Sequence, residues 1–300
     1  MTGEPSGILI LHKPVGITSH DAVYKIRRLF GTKRVGHTGT LDPLAEGVLV
    51  MLIGRAAKAA EYLAADTKKY VATLRLGLTT DTEDVTGNVL TESKDIPSEK
   101  QVQAVLESFR GDILQIPPMY SALKVGGKKL CDLAREGKTV EREARPITIH
   151  SLTAESTDSP TDHVLTVSCS SGTYIRTLCA DIGAALGCGG VMATLNRTAA
   201  GAFSIEKAVT LEELEQMTAE ERLSLLLPTE SLFSSLDTVR LPDFYYRLCI
   251  NGCEIYQKKI KTDFPIGVRL RMLTPDGSFF ALGEVREYGS GTAIKAIKYL

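Results

Sequence analysis

The sequence lacks the features that mark secreted, membrane-spanning and metal-binding proteins. Its six cysteines form no C-x-x-C pair and no regular framework, which predicts reduced thiols rather than disulfides or a zinc site. The longest clearly apolar run, Val48 to Ile53, is far shorter than the roughly 20 residues of a membrane span. The first residues hold neither a basic region nor an apolar core, so we predict no signal peptide. Together these absences favour a cytoplasmic protein with no membrane partner and no metal.

The net charge of −1 gives no global sign of a nucleic-acid partner, but the charges are unevenly distributed. The segment from Lys124 to Arg145 holds seven basic residues and four acidic ones. The segment from Glu206 to Glu230 holds seven acidic residues and two basic ones. An RNA-binding face needs local positive charge and not a basic total. Solvated helix faces would produce the same runs, so charge alone leaves both interpretations open.

Hydrophobic periodicity predicts a mixed α and β fold. Two short apolar runs, Ile8–Leu11 and Val48–Ile53, are typical of buried strands, and Lys69–Leu76 alternates as a half-buried strand does. Amphipathic helices are predicted after Thr18 or Ser19, after Ser98 and from Thr173, and the Thr210/Glu213 and Thr218/Glu221 pairs are capping boxes. A chain of 300 residues usually exceeds one compact core. Because short strands and Gly-containing turns dominate after Pro228, we predict a large sheet-containing domain over 1–235 and a small β-rich domain over 236–300.

The most informative stretch is the loop from Gly36 to Gly47. Its glycines allow sharp turns and close approach of a ligand, and Pro43 keeps Asp42 out of helical geometry. A carboxylate fixed on a rigid loop before a buried strand suits a nucleophile. An Asp-Pro pair in a Gly-rich loop is more often an ordinary turn, and no Gly-Lys-Ser/Thr follows that would indicate a Walker loop.

This loop resembles the signature of the bacterial tRNA pseudouridine-55 synthase family, and the resemblance extends along most of the chain. Five further blocks match the family in order: Leu11 to Ser19; Lys69-Tyr70 with Gly77 to Asp84; Pro117 to Lys124; Ser171 to Arg176 with Leu178 and Asp181; and Leu195-Asn196-Arg197. The resemblance implies an α+β fold with a mixed, mainly antiparallel sheet and flanking helices, followed by a small PUA-like RNA-binding domain. It also implies conversion of the T-loop uridine of tRNA to pseudouridine by base flipping.

The resemblance assigns catalytic roles to three residues. Asp42 matches the nucleophilic aspartate, Tyr70 the aromatic that stacks on the flipped base and takes part in proton transfer, and Arg176 the basic partner of the aspartate. Apart from the resemblance, Tyr70 is more typical of an ordinary strand aromatic, and Arg176 of a surface charge on a helix. No cofactor or metal is expected, because the isomerisation is redox-neutral and retains every atom.

Further residues are candidates for substrate and RNA binding. The resemblance makes Leu195 an apolar wall of the pocket and His37 a contact to the RNA backbone or a displaced base. Lys13 either binds phosphate or supports a turn. The remaining candidates belong to the matched motifs or to the basic segment: Thr38, Gly39, Tyr174, Lys128 and Lys129.

The expected partner is the T-stem-loop of tRNA, with no obligatory protein partner and a monomeric enzyme. Two alternatives remain at this stage. A guide-RNA-dependent pseudouridine synthase would carry a larger and more basic tail. A non-catalytic tRNA chaperone or RNA-binding module of the same fold would have no need of a carboxylate facing an anionic ligand. Because one fold can serve all three functions, the site residues decide between them.

Overall fold

The computed structural model describes residues 4–62 and 67–300, which form two large β-sheets and two small two-stranded ones. The strands are β1 Gly7–Lys13, β2 Val35–His37, β3 Ala45–Ile53, β4 Lys68–Leu76, β5 Leu78–Thr80, β6 Val89–Glu92, β7 Gly111–Gln115, β8 Lys124–Val125, β9 Lys128–Lys129, β10 Arg145–Ser156, β11 Asp162–Cys169, β12 Gly190–Ala200, β13 Phe203–Ser204, β14 Thr238–Arg240, β15 Ile255–Tyr256, β16 Arg269–Leu273, β17 Phe279–Tyr288 and β18 Gly291–Tyr299. The helices are α1 Ser19–Phe30, α2 Glu99–Leu106, α3 Leu130–Arg135, α4 Ile175–Ala185, α5 Leu211–Gln216, α6 Ala219–Ser224, α7 Asp243–Ile250 and α8 Gln257–Ile260. No helix of these residues is long and apolar enough to cross a membrane.

The first sheet is mainly antiparallel and follows the strand order β1-β3-β12-β4-β11-β10-β7. Strand β2 pairs with β3, and β13 pairs with β12. Within this sheet β3 and β12 run parallel, with Leu195 opposite Ala45 and Arg197 opposite Gly47. Parallel strands need a long connection, and here residues 54–189 lie between them. The pairing therefore brings residues from distant parts of the chain to one place.

The burial of β3 and β4 explains why both strands could be predicted from the sequence. Strand β3 is buried on both faces, since Leu49 and Met51 belong to one apolar cluster and Val48 and Val50 to another. A strand buried on both faces has a continuous apolar sequence. Strand β4 is buried on one face, which holds the alternating residues Tyr70, Ala72, Leu74 and Leu76. Both predicted strands are confirmed.

Helix α1 begins as predicted, and helix α4 does not. Thr18 is the N-cap of α1, its hydroxyl accepts from the Asp21 amide, and Val23, Ile26 and Phe30 face the core. The N-cap position of α4 is occupied by Tyr174 rather than Thr173. The Thr173 hydroxyl instead donates to the Ser170 carbonyl at 2.9 Å, so it closes the preceding turn. This displacement places Tyr174 at the start of the helix that carries Arg176.

A second sheet, in the order β14-β16-β17-β18-β15, lies within residues 238–299 and has its own apolar cluster. The sequence indicated little helix here, but α7 is a regular helix with an Asp243–Arg247 ion pair of 2.9 Å. Apolar packing of Ala59, Phe233 and Leu282 joins this part of the chain to the first sheet. The boundary predicted between 235 and 236 falls just before β14 and remains a prediction.

Candidate active site

The loop that carries Asp42 is held at successive residues. We call residues Thr38–Leu44 the Asp42 loop. The Ser19 hydroxyl donates to the Leu41 carbonyl at 2.9 Å and accepts from the Leu41 amide at 2.8 Å. The Asp42 carbonyl accepts from Ala45 N at 3.1 Å, and the Pro43 carbonyl accepts from Gly16 N at 2.8 Å. Because Leu41, Asp42 and Pro43 are all bonded through the backbone, the position of the Asp42 side chain is closely defined.

The Asp42 carboxylate forms an ion pair with a buried arginine. Its Oδ2 lies 2.9 Å from Arg176 Nε, and the Arg176 side chain is only 6% exposed. Arg176 also donates from Nη1 to the Thr82 carbonyl at 3.1 Å and from Nη2 to the Tyr120 carbonyl at 2.8 Å. All three nitrogens of the guanidinium are therefore engaged. The arginine presents a fixed positive charge to Asp42 instead of lying on a helix surface.

A second carboxylate, Asp84, also lies near this arginine, with its Oδ2 4.0 Å from Arg176 Nε. Its Oδ1 accepts from Thr82 Oγ1 at 2.8 Å, from the Thr86 amide at 2.9 Å and from the Thr86 hydroxyl at 2.5 Å. Asp84 therefore closes the turn between Thr82 and Thr86 and also lies beside the Asp42–Arg176 pair.

Asp42, Arg176 and Tyr70 line one cavity of about 950 Å³. Tyr70 lies on β4 and is only 8% exposed. Burial raises the pKa of the Tyr70 phenol, and the positive charge of Arg197 opposes that rise. The cavity has the size of a small-molecule site, so a single nucleotide turned out of a helix fits the available volume.

Four of the remaining candidates also line the cavity, and four do not. Thr38, Gly39, Tyr174 and Leu195 belong to its wall. Tyr174 is positioned by Gln115, whose amide donates to the Tyr174 carbonyl at 3.0 Å and accepts from its backbone N–H at 2.8 Å. Outside the cavity wall are His37, Lys13, Lys128 and Lys129.

Lys13 is fully buried, and its ammonium group donates to the carbonyls of Pro14 and Ile17, both at 2.8 Å. Burial lowers the pKa of Lys13 to about 8, partly offset by the negative charge of Asp42. This geometry favours support of the turn over phosphate binding. His37 is half-buried and its Nδ1 accepts from Gly39 N at 3.3 Å, while burial and the charge of Arg197 lower its pKa.

Lys128 and Lys129 form the exposed second strand of a small hairpin, β8–β9, which continues into α3. Neighbouring residues Cys131 and Arg135 on α3 line the cavity. The two lysines therefore flank the cavity on a solvent-facing surface, where a bound RNA can reach them.

Comparison with known proteins identifies the family. One family model, TruB family pseudouridylate synthase (N terminal domain), matches residues 27–175, and a second, tRNA pseudouridylate synthase B C-terminal domain, matches residues 176–234. A tRNA pseudouridine synthase B of Clostridium novyi is 43% identical over 278 residues, which covers 93% of this chain and 95% of that protein. That of Methylobacillus flagellatus is 40% identical over 284 residues, covering 95% and 92%. The chain belongs to the TruB family of pseudouridylate synthases.

Solved structures agree with this assignment. A chain of a Cbf5-Nop10-Gar1 complex is 26% identical, with a TM-score of 0.75, and the match covers 98% of this chain and 84% of that one. A chain of the archaeal box H/ACA sRNP Nop10-Cbf5 complex is also 26% identical, with a TM-score of 0.72 and coverage of 99% and 86%. The predicted family and the predicted fold class, including the β-rich C-terminal part, are confirmed.

Within this TruB-family site, three supporting residues were not singled out from the sequence. Ser19 had been considered only as a helix cap, Gln115 had no assignment, and Arg197 had been quoted only as part of a matched block. Arg197 is 3% exposed and is bonded to the Asp42 loop. Only one signal was available for it: a charged residue in a strand, β12, whose other residues are apolar or small and polar.

Proposed function

We propose that this protein is a tRNA pseudouridine synthase that isomerises the T-loop uridine at position 55 to pseudouridine. The observation that carries the proposal is the Asp42–Arg176 ion pair, 2.9 Å long, in a cavity that Tyr70 also lines. Relatives at 40–43% identity over more than nine-tenths of this chain are named tRNA pseudouridine synthase B. A pure binding module would gain nothing from a carboxylate that faces an anionic ligand.

In the proposed reaction Asp42 is the nucleophile. The N1–C1′ glycosidic bond breaks, the base rotates, C5 bonds to C1′, and the C5 proton is replaced by a proton on N1. Attack by the carboxylate on the sugar or on the base gives the same balance of atoms. Either route needs a carboxylate that stays charged when RNA covers the cavity, and Arg176 supplies a positive partner within hydrogen-bond distance.

Tyr70 is proposed to stack on the flipped uracil and to transfer a proton. Base–aromatic stacking is worth roughly 1–3 kcal/mol, which partly offsets the cost of unstacking the uridine. Burial raises the pKa of Tyr70, so the phenol is neutral at physiological pH. A neutral phenol can give its proton to the uracil and take the C5 proton in return, which completes the isomerisation without an external acid or base.

The decisive experiment incubates the purified protein alone with an unmodified tRNA transcript. Pseudouridine is then mapped by carbodiimide modification and primer extension, with a transcript carrying cytidine at position 55 as the control. We expect one primer-extension stop, at position 55, without any added guide RNA. Modification that requires a guide RNA would favour the guide-dependent alternative, and binding without modification would favour the chaperone alternative.

We further propose a monomer that acts alone in the cytoplasm. All six cysteines are free thiols, as a reducing compartment requires. Light scattering with and without tRNA tests the monomer: a mass of twice the 32.5 kDa chain in the absence of RNA would contradict it.

Residues 236–300 are proposed to be a separate RNA-binding domain. Its sheet has its own apolar cluster, and the exposed Lys258 and Lys259 border a small cleft with Ser290 and Thr292. Lys258→Glu with Lys259→Glu should weaken tRNA binding without changing the rate at saturating enzyme. Unchanged binding would place the RNA contacts of this domain elsewhere.

A further inference from the structure

Arg197 bonds to both ends of the segment Gly39–Val48, which contains Asp42. Its Nη2 donates to the Gly39 carbonyl at 3.0 Å and its Nη1 to the Thr40 carbonyl at 3.3 Å, both before Asp42 in the chain. Its Nε donates to the Val48 carbonyl at 2.7 Å, beyond the loop on β3. One rigid guanidinium thus holds both ends of the segment that presents the nucleophile.

The strand pairing leaves little freedom for this arginine. On β12 it lies opposite Gly47 of β3 on one side and opposite Tyr70 of β4 on the other. Gly47 has a φ of 103°, and a Cβ at that position would meet the Arg197 carbonyl oxygen at 2.4 Å. The close approach of the two backbones therefore requires glycine and fixes where the arginine leaves the strand.

The charge of Arg197 is not cancelled locally. Within residues 4–62 and 67–300, no carboxylate forms an ion pair with it; it donates to three carbonyl groups, and its side chain also interacts with the Tyr70 phenol. Arg197 and Tyr70 are cross-strand neighbours, and both line the cavity. This buried positive charge acts on the ionisable groups around it, and for the Tyr70 phenol it opposes the rise in pKa that burial causes.

We propose that Arg197 is a positioning residue that holds both ends of the segment Gly39–Val48, which carries Asp42, and places a positive charge that no carboxylate pairs with beside the Tyr70 phenol. The inference rests on the proposed function for its catalytic consequence. When the phenol gives a proton to the uracil, a transient phenolate forms in a buried site. The fixed guanidinium stabilises that phenolate without reorganisation, while Arg176 serves Asp42.

The structure offers a matched control. Arg222 also donates from Nε, Nη1 and Nη2 to three backbone carbonyls, those of Leu214, Leu29 and Met217, at 2.7–2.8 Å. It does not line the cavity. Arg197→Met and Arg222→Met each remove one arginine that bonds to three carbonyls, so a general loss of stability should affect both. Arg197→Lys keeps the charge but cannot reproduce the three-way bonding.

The measurements are single-turnover rates of pseudouridine formation, tRNA binding, and amide hydrogen exchange at residues 39–42, all on the folded fraction. For Arg197→Met we expect a rate loss on the order of a hundredfold with binding within about threefold of wild type, since misplacement of catalytic groups acts on the chemical step. For Arg197→Lys we expect a loss of only about tenfold, because the charge beside the phenol remains. Exchange at the loop should accelerate in both Arg197 variants and stay unchanged in Arg222→Met.

Equal losses of rate in Arg197→Met and Arg222→Met would overturn the proposal, as would loop exchange that matches wild type in Arg197→Lys. If the methionine variant does not fold, the lysine variant still tests the loop by exchange. If the wild-type protein does not modify tRNA, the proposed function fails, whereas the exchange measurement still decides whether Arg197 fixes the loop.

Discussion

The Asp42 loop and the basic segment, Lys124–Arg145, are built by opposite means. The Ser19 hydroxyl, the Gly16 amide and the Arg197 guanidinium donate hydrogen bonds to backbone carbonyls of the loop and fix its position. In the basic segment only Leu130 and Leu133 are buried, and its lysines extend into solvent. Reacting groups must be held in place to within a fraction of an ångström, whereas a positive charge attracts RNA from anywhere within roughly a Debye length. The two regions should therefore respond differently to mutation.

The largest effect is expected from Asp42→Asn. The amide is nearly isosteric with the carboxylate but cannot act as the nucleophile, so turnover should fall at least about a thousandfold while tRNA binding stays within about threefold. Single-turnover mapping and a filter-binding assay measure the two quantities. Asp21→Asn is the control, because Asp21 is a carboxylate that bonds to Thr18 at the start of α1 outside the cavity wall. Residual turnover above a thousandth of wild type would argue against Asp42 as the nucleophile.

Tyr70→Phe should have the next largest effect, because it separates stacking from proton transfer. The ring face is unchanged, so binding should persist, whereas loss of the proton-transferring hydroxyl should cost on the order of a hundredfold in the single-turnover rate. Tyr70→Leu removes the ring as well and should be slower still. A phenylalanine variant within about threefold of wild type would reduce Tyr70 to a stacking surface and assign the proton to another group.

Lys13, which is buried near the Asp42 loop, should make the free energy of unfolding depend on pH. Its pKa is lowered by burial to about 8 from an ordinary value of 10.5. Below pH 8 both the folded and the unfolded chain hold the proton, and between about 8 and 10.5 only the unfolded chain does. The contribution of Lys13 to stability therefore rises with pH across that window. Relative to Lys13→Met, wild type should gain on the order of 1–2 kcal/mol of unfolding free energy between pH 7 and 9.5.

Urea denaturation at both pH values measures this difference. Lys128→Met is the control, since its side chain is exposed in the folded chain and in the unfolded chain alike. A difference between wild type and Lys13→Met that is constant over the pH range would mean that the buried ammonium group keeps its proton.

The residues that were predictable from the sequence are those whose signals are local. Alternation over β4 and the capping residue of α1 act over two to four positions, and both are confirmed. The helix α7 was missed because three aromatic residues, Phe244, Tyr245 and Tyr246, have modest helix propensity, and the turns around them resemble those of a β-rich domain. The Asp42 loop was recognisable because Gly36–Gly47 resembles a family signature, whereas its glycines and Pro43 alone are more typical of an ordinary turn.

The supporting residues of the site were not predictable in the same way. Ser19 meets Leu41 across 22 positions, Gln115 meets Tyr174 across 59, and Arg197 meets Gly39 across 158. Such contacts depend on which strands pair, and the parallel pairing of β3 with β12 leaves no periodic trace in the sequence. For Lys13 the sequence left phosphate binding and turn support both open. Only the packing shows that its ammonium group is buried, which favours turn support.

The smallest effect is expected in the basic segment, where several positive charges each contribute part of the attraction to tRNA. Lys128→Glu with Lys129→Glu should weaken the binding of all tRNAs alike, by roughly five- to tenfold, because phosphate contacts position RNA without reading its sequence. The slope of log K against log salt should become shallower by about 1 to 2, as expected when two phosphate contacts are lost. The rate at saturating enzyme should not change, since neither lysine lines the cavity.

Lys94→Glu with Lys100→Glu makes the same change of net charge at two other exposed lysines and should leave the slope unaltered. An unchanged slope in the Lys128/Lys129 variant would place the RNA on another face, and a lower saturated rate would mean that the basic segment, like the Asp42 loop, helps to fix the geometry of the reacting groups.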